Sequence, residues 1–103
     1  MKITTNKRGN KVATFNSPIG IDNGYTNNYQ GKFKSTMELF LDDNNEPSMI
    51  EWDVADLETT EHIGIEYWDG EVQGYDGVFE LPTQAILFLE RVGFKVSEDL
   101  KDL

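Results

Sequence analysis

The residues of this sequence that could take part in catalysis are one histidine and a set of carboxylates. His62 is the only histidine of the chain, and a serine–histidine–aspartate site needs such a base placed against a nucleophile. Nothing in the spacing of the residues around His62 suggests such a nucleophile. Glu66 and Glu71 have the residue type for acid–base hydrolysis of a glycosidic bond, but a domain of this size rarely forms the necessary cleft. The sequence therefore predicts no catalytic residue and favours a protein that is not an enzyme.

Oxygen-bearing side chains before Pro47 bear a weak likeness to a calcium loop. Asp42, Asn44 and Glu46 alternate as the ligands of an EF-hand loop do, but Pro47 stands at the sixth position, where that loop needs glycine. The flanking residues predict strands rather than helices. The chain has no cysteine, which excludes thiolate metal sites, thiol catalysis and disulfides. We therefore expect a hairpin turn here, with no metal site and no cofactor.

Charge is distributed unevenly along the 103 residues. Residues 1–34 carry a net charge of +5, residues 35–90 carry fifteen acidic side chains and no Lys or Arg, and residues 91–103 are balanced. A run of 56 residues without a basic side chain is uncommon, because Lys and Arg make up about a tenth of ordinary sequence. The pattern has two interpretations: an acidic surface that only maintains solubility, or a negative face that a positively charged partner recognises.

The formal net charge of −10 limits the classes of partner. Nucleic acid and anionic membranes repel such a chain, so basic proteins are the expected partners. The N-terminal residues lack the apolar segment of a signal peptide, and no apolar run approaches the roughly 20 residues that span a membrane. We expect a cytoplasmic protein that binds neither nucleic acid directly nor a membrane.

Alternation of apolar and polar residues predicts two hairpins in the first half of the chain. The turn signal RGN at residues 8–10 predicts a hairpin between residues 2–6 and 11–15. Residues 31–41 and 48–54 alternate on either side of a polar turn and predict the second hairpin.

The stretch IGIEYWDGEVQGYDGVFEL, residues 63–81, predicts a tight meander. The Asp-Gly pair at 69–70 favours a two-residue hairpin turn, and that register pairs Tyr67 with Val72. A second Asp-Gly pair predicts a further short strand before the helix. A bulge at Gly74 is the alternative to an unbroken register.

One helix is predicted near the C-terminus. Pro82 suits its first turn, where the missing N–H is not needed, and Gly93 suits its end. Residues 94–96 predict a last packed segment or edge strand. The apolar positions of the helix recur at helical spacing: Ala85, Ile86, Leu89 and Val92.

These elements predict a single α+β domain over residues 1–103. It has an antiparallel β-sheet of about five or six strands, in hairpins and a meander, with one C-terminal helix packed on one face. Residues 16–31 are rich in Asn and Gly and predict a flexible loop. Residues 55–62 predict an irregular connection, and residues 97–103 predict a frayed tail.

Strand periodicity divides the side chains of the sheet between two faces. One face is predicted to lie under the helix, with Ile50, Trp52, Ile65, Tyr67 and Val72. The other face holds regularly spaced carboxylates, which repel one another unless positive charge balances them. We predict that this acidic, aromatic face binds a partner through Glu38, Glu51, Asp53, Glu66, Trp68, Glu71 and Tyr75. The alternative is that the basic N-terminal hairpin folds over this face and neutralises it within the molecule.

The sequence favours a non-enzymatic binding protein that presents this face to a basic or nucleic-acid-binding protein. Its most specific form is an inhibitor that imitates nucleic-acid charge to block the partner's binding site, and small acidic phage or prokaryotic proteins are one setting for that strategy. One alternative is a structural or accessory domain, including a homodimer, whose acidity serves only solubility. Another is a small metal-dependent hydrolase that uses Glu66, Glu71 or His62.

Overall fold

The computed structural model of this chain describes residues 1–18, 32–54, 59–76 and 83–101. No helix within these ranges has the length and apolar composition needed to cross a membrane. The elements in chain order are β1 (Lys2–Thr5), β2 (Lys11–Pro18), β3 (Lys32–Leu41), β4 (Pro47–Val54), β5 (Thr59–Trp68), β6 (Glu71–Asp76), α1 (Thr83–Arg91), β7 (Lys95–Val96) and a 3-10 helix (Glu98–Leu100).

The strands form one curled sheet in which each strand lies beside its neighbours in the sequence, in the order β1 to β7. Neighbouring strands are antiparallel except β6 and β7, which are parallel because α1 lies between them in the chain. The predicted α+β class is confirmed. The predicted number of five or six strands is slightly low, because the described sheet has seven strands, including the two-residue β7.

Three sequence predictions fall partly or wholly outside the described ranges. β2 extends to Pro18, so the predicted loop starts later than residue 16, and its remainder at 19–31 is not described. The connection predicted to be irregular already belongs to β5 from Thr59 onward, and residues 55–58 lie outside. The short strand predicted over residues 78–81 lies wholly outside.

The C-terminal segment, predicted to fray, is held against the domain as far as Lys101. Ser97 is buried, and its amide donates to the carbonyl of Val72 at 2.8 Å. Leu100 packs against the core. The Lys101 ammonium lies 2.9 Å from the Glu90 carboxylate and so links the segment to α1.

The β5–β6 hairpin has the predicted turn and one irregularity. Asp69 and Gly70 have φ angles of 55° and 77°, as a two-residue hairpin turn of this kind requires. Tyr67 pairs with Val72 as predicted, and the register then shifts because Gln73 is an extra residue in β6. This β-bulge reverses the alternation of side chains along the rest of β6.

The bulge moves Tyr75 to the face of the sheet that carries the core. Tyr75 pairs with Ile65, and both side chains pack against the buried cluster. Unbroken alternation from Glu71 would place Tyr75 on the acidic face, which is the position that the sequence predicts. The structure corrects this placement, because one extra residue turns every later side chain to the opposite face.

The hydrophobic core lies between the inner face of the sheet and α1. Three helix residues, Ala85, Phe88 and Leu89, are fully buried in the same cluster as the strand residues. At the end of the helix the Arg91 guanidinium donates to the main-chain carbonyl of Met1 at 3.2 Å. The C-terminal end of α1 therefore lies beside the first residue of the chain. The five residues predicted to face the helix all belong to this cluster or pack against it: Ile50, Trp52, Ile65, Tyr67 and Val72.

Replacing Gly70 with alanine is expected to destabilise the protein by about 1 kcal/mol. A side chain in the left-handed region costs roughly 1–2 kcal/mol, and the smaller freedom of alanine in the unfolded chain offsets part of that cost. A Cβ at position 70 would meet no atom within 4 Å, so the cost comes from the φ angle alone. Thermal unfolding measures the effect, with Gly64→Ala as the control at a glycine without positive φ. An unchanged or higher midpoint for Gly70→Ala would contradict this account.

Candidate functional site

The outer face of the sheet, opposite α1, carries all five carboxylates that the sequence places there. Val12, Glu38, Glu51 and His62 lie opposite one another across four strands. Because successive residues of a strand alternate between faces, the rest of the outer face follows from this row. We call the outward carboxylates of β4, β5 and β6 the acidic sector: Glu51, Asp53, Glu66, Glu71 and Asp76.

Glu38 is held by the turn between β1 and β2 rather than left open to a partner. Its Oε2 accepts hydrogen bonds from Asn6 Nδ2 at 2.8 Å, Asn10 Nδ2 at 2.9 Å and Arg8 Nε at 3.1 Å, and its Oε1 accepts from Arg8 Nη2 at 3.1 Å. Asn6 also organises the turn, since its Oδ1 accepts from the amides of Arg8 and Asn10 at 3.0 Å. The Glu38 side chain is only 11% exposed, so it belongs to the framework of the fold.

The same contacts lower the pKa of the Glu38 carboxyl from 4.5 to about 2. The hydrogen bond from Arg8 is the largest cause, burial opposes it, and the hydrogen bonds from Asn10 and Asn6 add to the lowering. In turn, the Glu38 carboxylate raises the pKa of the Arg8 guanidinium. Glu38 is therefore charged but neutralised inside the molecule, and we leave it out of the acidic sector.

Two carboxylates of β4 have partners on the neighbouring strand. Glu51 Oε2 lies 3.2 Å from His62 Nε2, and the His62 side chain is 61% exposed. The Thr60 hydroxyl donates to Asp53 Oδ1. Exposed pairs of this kind contribute only about 0–1 kcal/mol. An incoming cation can therefore compete for these carboxylates at small cost.

Glu71 lies beside a basic side chain, Lys95. Its Oε1 accepts from Gln73 Nε2 at 3.1 Å. Its Oε2 lies 3.6 Å from Lys95 Nζ, whose side chain is 77% exposed. This distance is too long for a strong hydrogen bond, so Lys95 compensates the charge of Glu71 only in part.

Glu66 and Asp76 are exposed and have no hydrogen-bond or ion-pair partner among the described residues. The Glu66 carboxylate lies over β6, because a Cβ built at Gly74 would be only 2.7 Å from Glu66 Oε2. Glycine at this position therefore leaves space for that carboxylate. These two residues are the least compensated charges of the acidic sector.

Apolar side chains accompany the carboxylates on the outer face. Phe40 lies opposite Met49 on the neighbouring strand, and both are half-buried. Trp68, at the end of β5, is 58% exposed. The predicted combination of carboxylates and an exposed aromatic residue is therefore present on this face, without Tyr75.

The N-terminal hairpin extends the sheet and does not fold over the acidic sector. β2 pairs with β3, and β1 pairs with β2 at the edge farthest from β6. Arg8 binds Glu38, and the negative charge of Glu51 has only a smaller effect on the pKa of Arg8. Lys2 and Lys34 lie on the same face, on the β1 and β3 side. The predicted alternative of internal neutralisation therefore applies to Glu38, whereas the acidic sector lies beside the hairpin.

Among the described residues, the His62 imidazole contacts the Glu51 carboxylate. No group of three or more His, Cys, Asp or Glu side chains is placed to hold a metal ion in this part of the chain. An open pocket of about 240 Å³ lies at the end of α1, lined by Met1, Leu87 and Arg91. None of these three lining residues belongs to the acidic sector.

The segment compared above with a calcium loop is a hairpin turn, as the sequence favours. Asp42 Oδ1 accepts hydrogen bonds from the amides of Asn44 at 2.8 Å and Glu46 at 3.0 Å. The Asp42 amide donates to the carbonyl of Glu46 at 2.8 Å. The carboxylate of Asp42 therefore stabilises the turn between β3 and β4.

The structure adds five residues to the site that sequence reasoning missed. One is Asp76, which the bulge in β6 turns to the outer face. Asn6, Arg8 and Asn10 hold Glu38, and Lys95 lies near Glu71. The basic turn residues are visible in the sequence, but their contact with Glu38 depends on the pairing of β2 with β3. Comparison of this chain with family models, with curated proteins and with solved structures finds no match.

Proposed function

We propose that this chain is a non-enzymatic binding protein whose acidic sector docks onto a positively charged protein. The observation that carries the proposal is the layout of the outer face. Carboxylates lie on three adjacent strands, and the basic N-terminal hairpin lies beside them rather than over them. Complementary charge across an interface accelerates encounter and discriminates between partners.

The partner class that fits this surface best is a protein that itself binds nucleic acid. Residues on one face of a strand are roughly 6.6–7 Å apart, and neighbouring strands are about 4.8 Å apart. The acidic sector therefore presents a compact, repeated array of negative charge, as the phosphate backbone of a nucleic acid does. A protein that occupies a basic cleft in this way inhibits its partner by excluding the nucleic acid.

A structural or accessory domain, whose acidity serves only solubility, is the second candidate. It is favoured by one observation, the neutralisation of Glu38 within the chain by Arg8, because an acid with an internal partner serves the fold. The two candidates differ in a measurable way. Solubility depends on net charge, whereas binding through a surface depends on where the charge lies.

Two charge-reversal variants of equal net charge separate these candidates. Glu66→Lys with Asp76→Lys changes the acidic sector, and Asp43→Lys with Glu98→Lys changes two exposed carboxylates elsewhere. Replacing one carboxylate with lysine raises the net charge by two. Each pair of substitutions therefore raises the formal net charge from −10 to −6. We expect the immobilised wild-type protein and the second pair to retain a basic protein from a prokaryotic lysate, and the first pair to lose it. Retention by the wild-type protein should fall as salt rises.

The control for this experiment is the circular dichroism spectrum, which should be the same for all three proteins. Equal retention by the wild-type protein and both variant pairs would contradict the binding surface. Equal loss in both pairs would also contradict it and would favour net charge alone. The inhibitor form is tested separately by adding duplex DNA or RNA to the retained complex. If neither nucleic acid displaces the chain, the partner site is not a nucleic-acid site.

A further inference from the structure

The tip of the β5–β6 hairpin presents an unusually exposed tryptophan. Trp68 is 58% exposed, although tryptophan side chains are normally well buried in folded proteins. The other tryptophan of the chain, Trp52, is fully buried and shows the usual behaviour. Tryptophan is enriched among the residues that dominate the energy of protein interfaces, which makes Trp68 a candidate contact residue.

The backbone of Trp68 is fixed although its indole is exposed. Trp68 pairs with Glu71 across the two-residue turn, and its carbonyl accepts a hydrogen bond from Gln73 Nε2 at 3.3 Å. The preceding residue, Tyr67, packs edge-on against Phe94, with ring centroids 6.0 Å apart and ring planes at 80°. Because the backbone at this position is already ordered, binding through Trp68 costs no further backbone entropy there.

The surroundings of Trp68 are negatively charged. Glu66 lies two residues earlier on the same face, Asp69 follows in the turn, and Glu71 is the cross-strand neighbour. A basic side chain, Lys95, lies 3.6 Å from Glu71 and only partly balances this charge. The face of an aromatic ring attracts cations, and the neighbouring carboxylates strengthen that preference.

We propose that Trp68 is the anchor of the acidic sector and receives an arginine side chain of the partner. This inference rests on the proposed function and names the group that is recognised. The guanidinium stacks on the exposed face of the indole. Its N–H groups donate to a neighbouring carboxylate, and Glu66 and Asp69 are suitable acceptors because both are exposed and have no partner among the described residues.

Arginine fits this site better than lysine for three reasons. Its guanidinium is planar and stacks on an aromatic ring, it offers paired donors that match a carboxylate, and it is less strongly hydrated than an ammonium group. A strongly hydrated ammonium gains less at a site where the indole is more than half exposed. Basic clefts that bind nucleic acid commonly contain arginine, which agrees with the partner class proposed above.

The test is an NMR titration of the ¹⁵N-labelled full chain with a short peptide that alternates arginine with glycine. Matched peptides carry citrulline, which has the shape of arginine without its charge, or lysine. The two indole N–H signals of Trp52 and Trp68 are assigned by their loss in Trp68→Phe, and the buried Trp52 serves as the internal reference. We expect the Trp68 signal to shift with the arginine peptide, to shift less with lysine, and not to shift with citrulline. We expect Trp68→Leu to bind the arginine peptide about two- to fivefold more weakly than the wild type.

The outcomes separate this inference from the proposed function. If the amides of Glu66 and Asp76 shift while the Trp68 indole does not, the anchor is wrong and the acidic binding surface stands. Equal shifts with lysine and arginine overturn the preference for arginine, and equal shifts with citrulline overturn recognition of charge. A Trp68 signal that moves with protein concentration alone makes a second copy of the chain the occupant and overturns the inference. No shift anywhere in excess peptide contradicts both proposals.

Discussion

Replacing Trp52 with alanine is expected to lower the free energy of unfolding by about 3–5 kcal/mol. The indole is fully buried and lies beside Met37 on the neighbouring strand. Alanine removes most of its apolar contact and leaves a cavity that the surrounding side chains fill only in part. Because a domain of this kind is stable by only about 5–15 kcal/mol, this substitution removes a large share of the stability. Urea denaturation followed by circular dichroism measures the loss.

Replacing Trp52 with phenylalanine separates the contribution of the aromatic ring to stability from that of the indole N–H group. The Trp52 Nε1 is buried and has no hydrogen-bond partner among the described residues, and leaving such a donor unpaired costs about 1–3 kcal/mol. Trp52→Phe keeps an aromatic ring and removes that donor. We therefore expect it to cost much less stability than Trp52→Ala. Equal losses in the two variants would contradict this description of the core.

Glu38→Gln is expected to destabilise the protein at neutral pH by about 1.5–3 kcal/mol, the usual range for hydrogen bonds to a charged group. Glutamine has nearly the same size but no charge, so it removes the ion pair with Arg8 and weakens the bonds from Asn6 and Asn10. Urea denaturation at neutral pH measures the loss. Glu98→Gln is the matched control, because the Glu98 side chain is 83% exposed and should contribute little.

The effect of Glu38→Gln should also depend on pH in a defined direction. The pKa of Glu38 in the folded protein is about 2, below its ordinary value of 4.5. The stabilising contribution of the carboxylate is therefore complete above about pH 4.5 and is lost as the pH falls toward about 2. The difference in unfolding free energy between the wild type and Glu38→Gln should shrink over that interval. A difference that stays constant from neutral to acidic pH would contradict the role of Glu38.

Elements with strong local signals are those that the sequence predicts well. The Asp-Gly pair leaves few turn types available, and alternation on both sides sets the pairing of Tyr67 with Val72. The helix has a periodic apolar stripe and a glycine two residues after its last residue, so its existence follows from local chemistry. Both features depend on residues that are close together in the chain.

Strand alternation predicts the wrong face for Tyr75, because two registers of β6 satisfy the local pattern. The sequence EVQGYD alternates in a way that permits an unbroken strand. The choice is made by packing, since the bulge at Gln73 lets both Val72 and Tyr75 face the core. A tertiary contact that decides between two acceptable local structures is invisible to a reading of periodicity.

The hydrogen bonds that Asn6, Arg8 and Asn10 donate to Glu38 join distant parts of the chain. Arg8 and Glu38 are thirty residues apart, and they meet only because β2 pairs with β3 in a particular register. The sequence places both residues correctly in a turn and a strand. The register that joins them is fixed by long-range pairing, which local propensities do not encode. The general arrangement of acidic residues was therefore predictable, and their individual partners were not.

We propose that the position of negative charge on β5 and β6, and not its amount, determines binding. The most direct test is the dissociation constant of the retained partner, measured by calorimetry at several salt concentrations. The proteins compared are the wild type, the Glu66→Lys with Asp76→Lys pair, and the Asp43→Lys with Glu98→Lys pair. We expect the first pair to weaken binding by about tenfold or more, equivalent to about 1.4 kcal/mol, and the second pair to change it by less than about threefold. Equal weakening by the two pairs would contradict the claim, because both carry the same net charge.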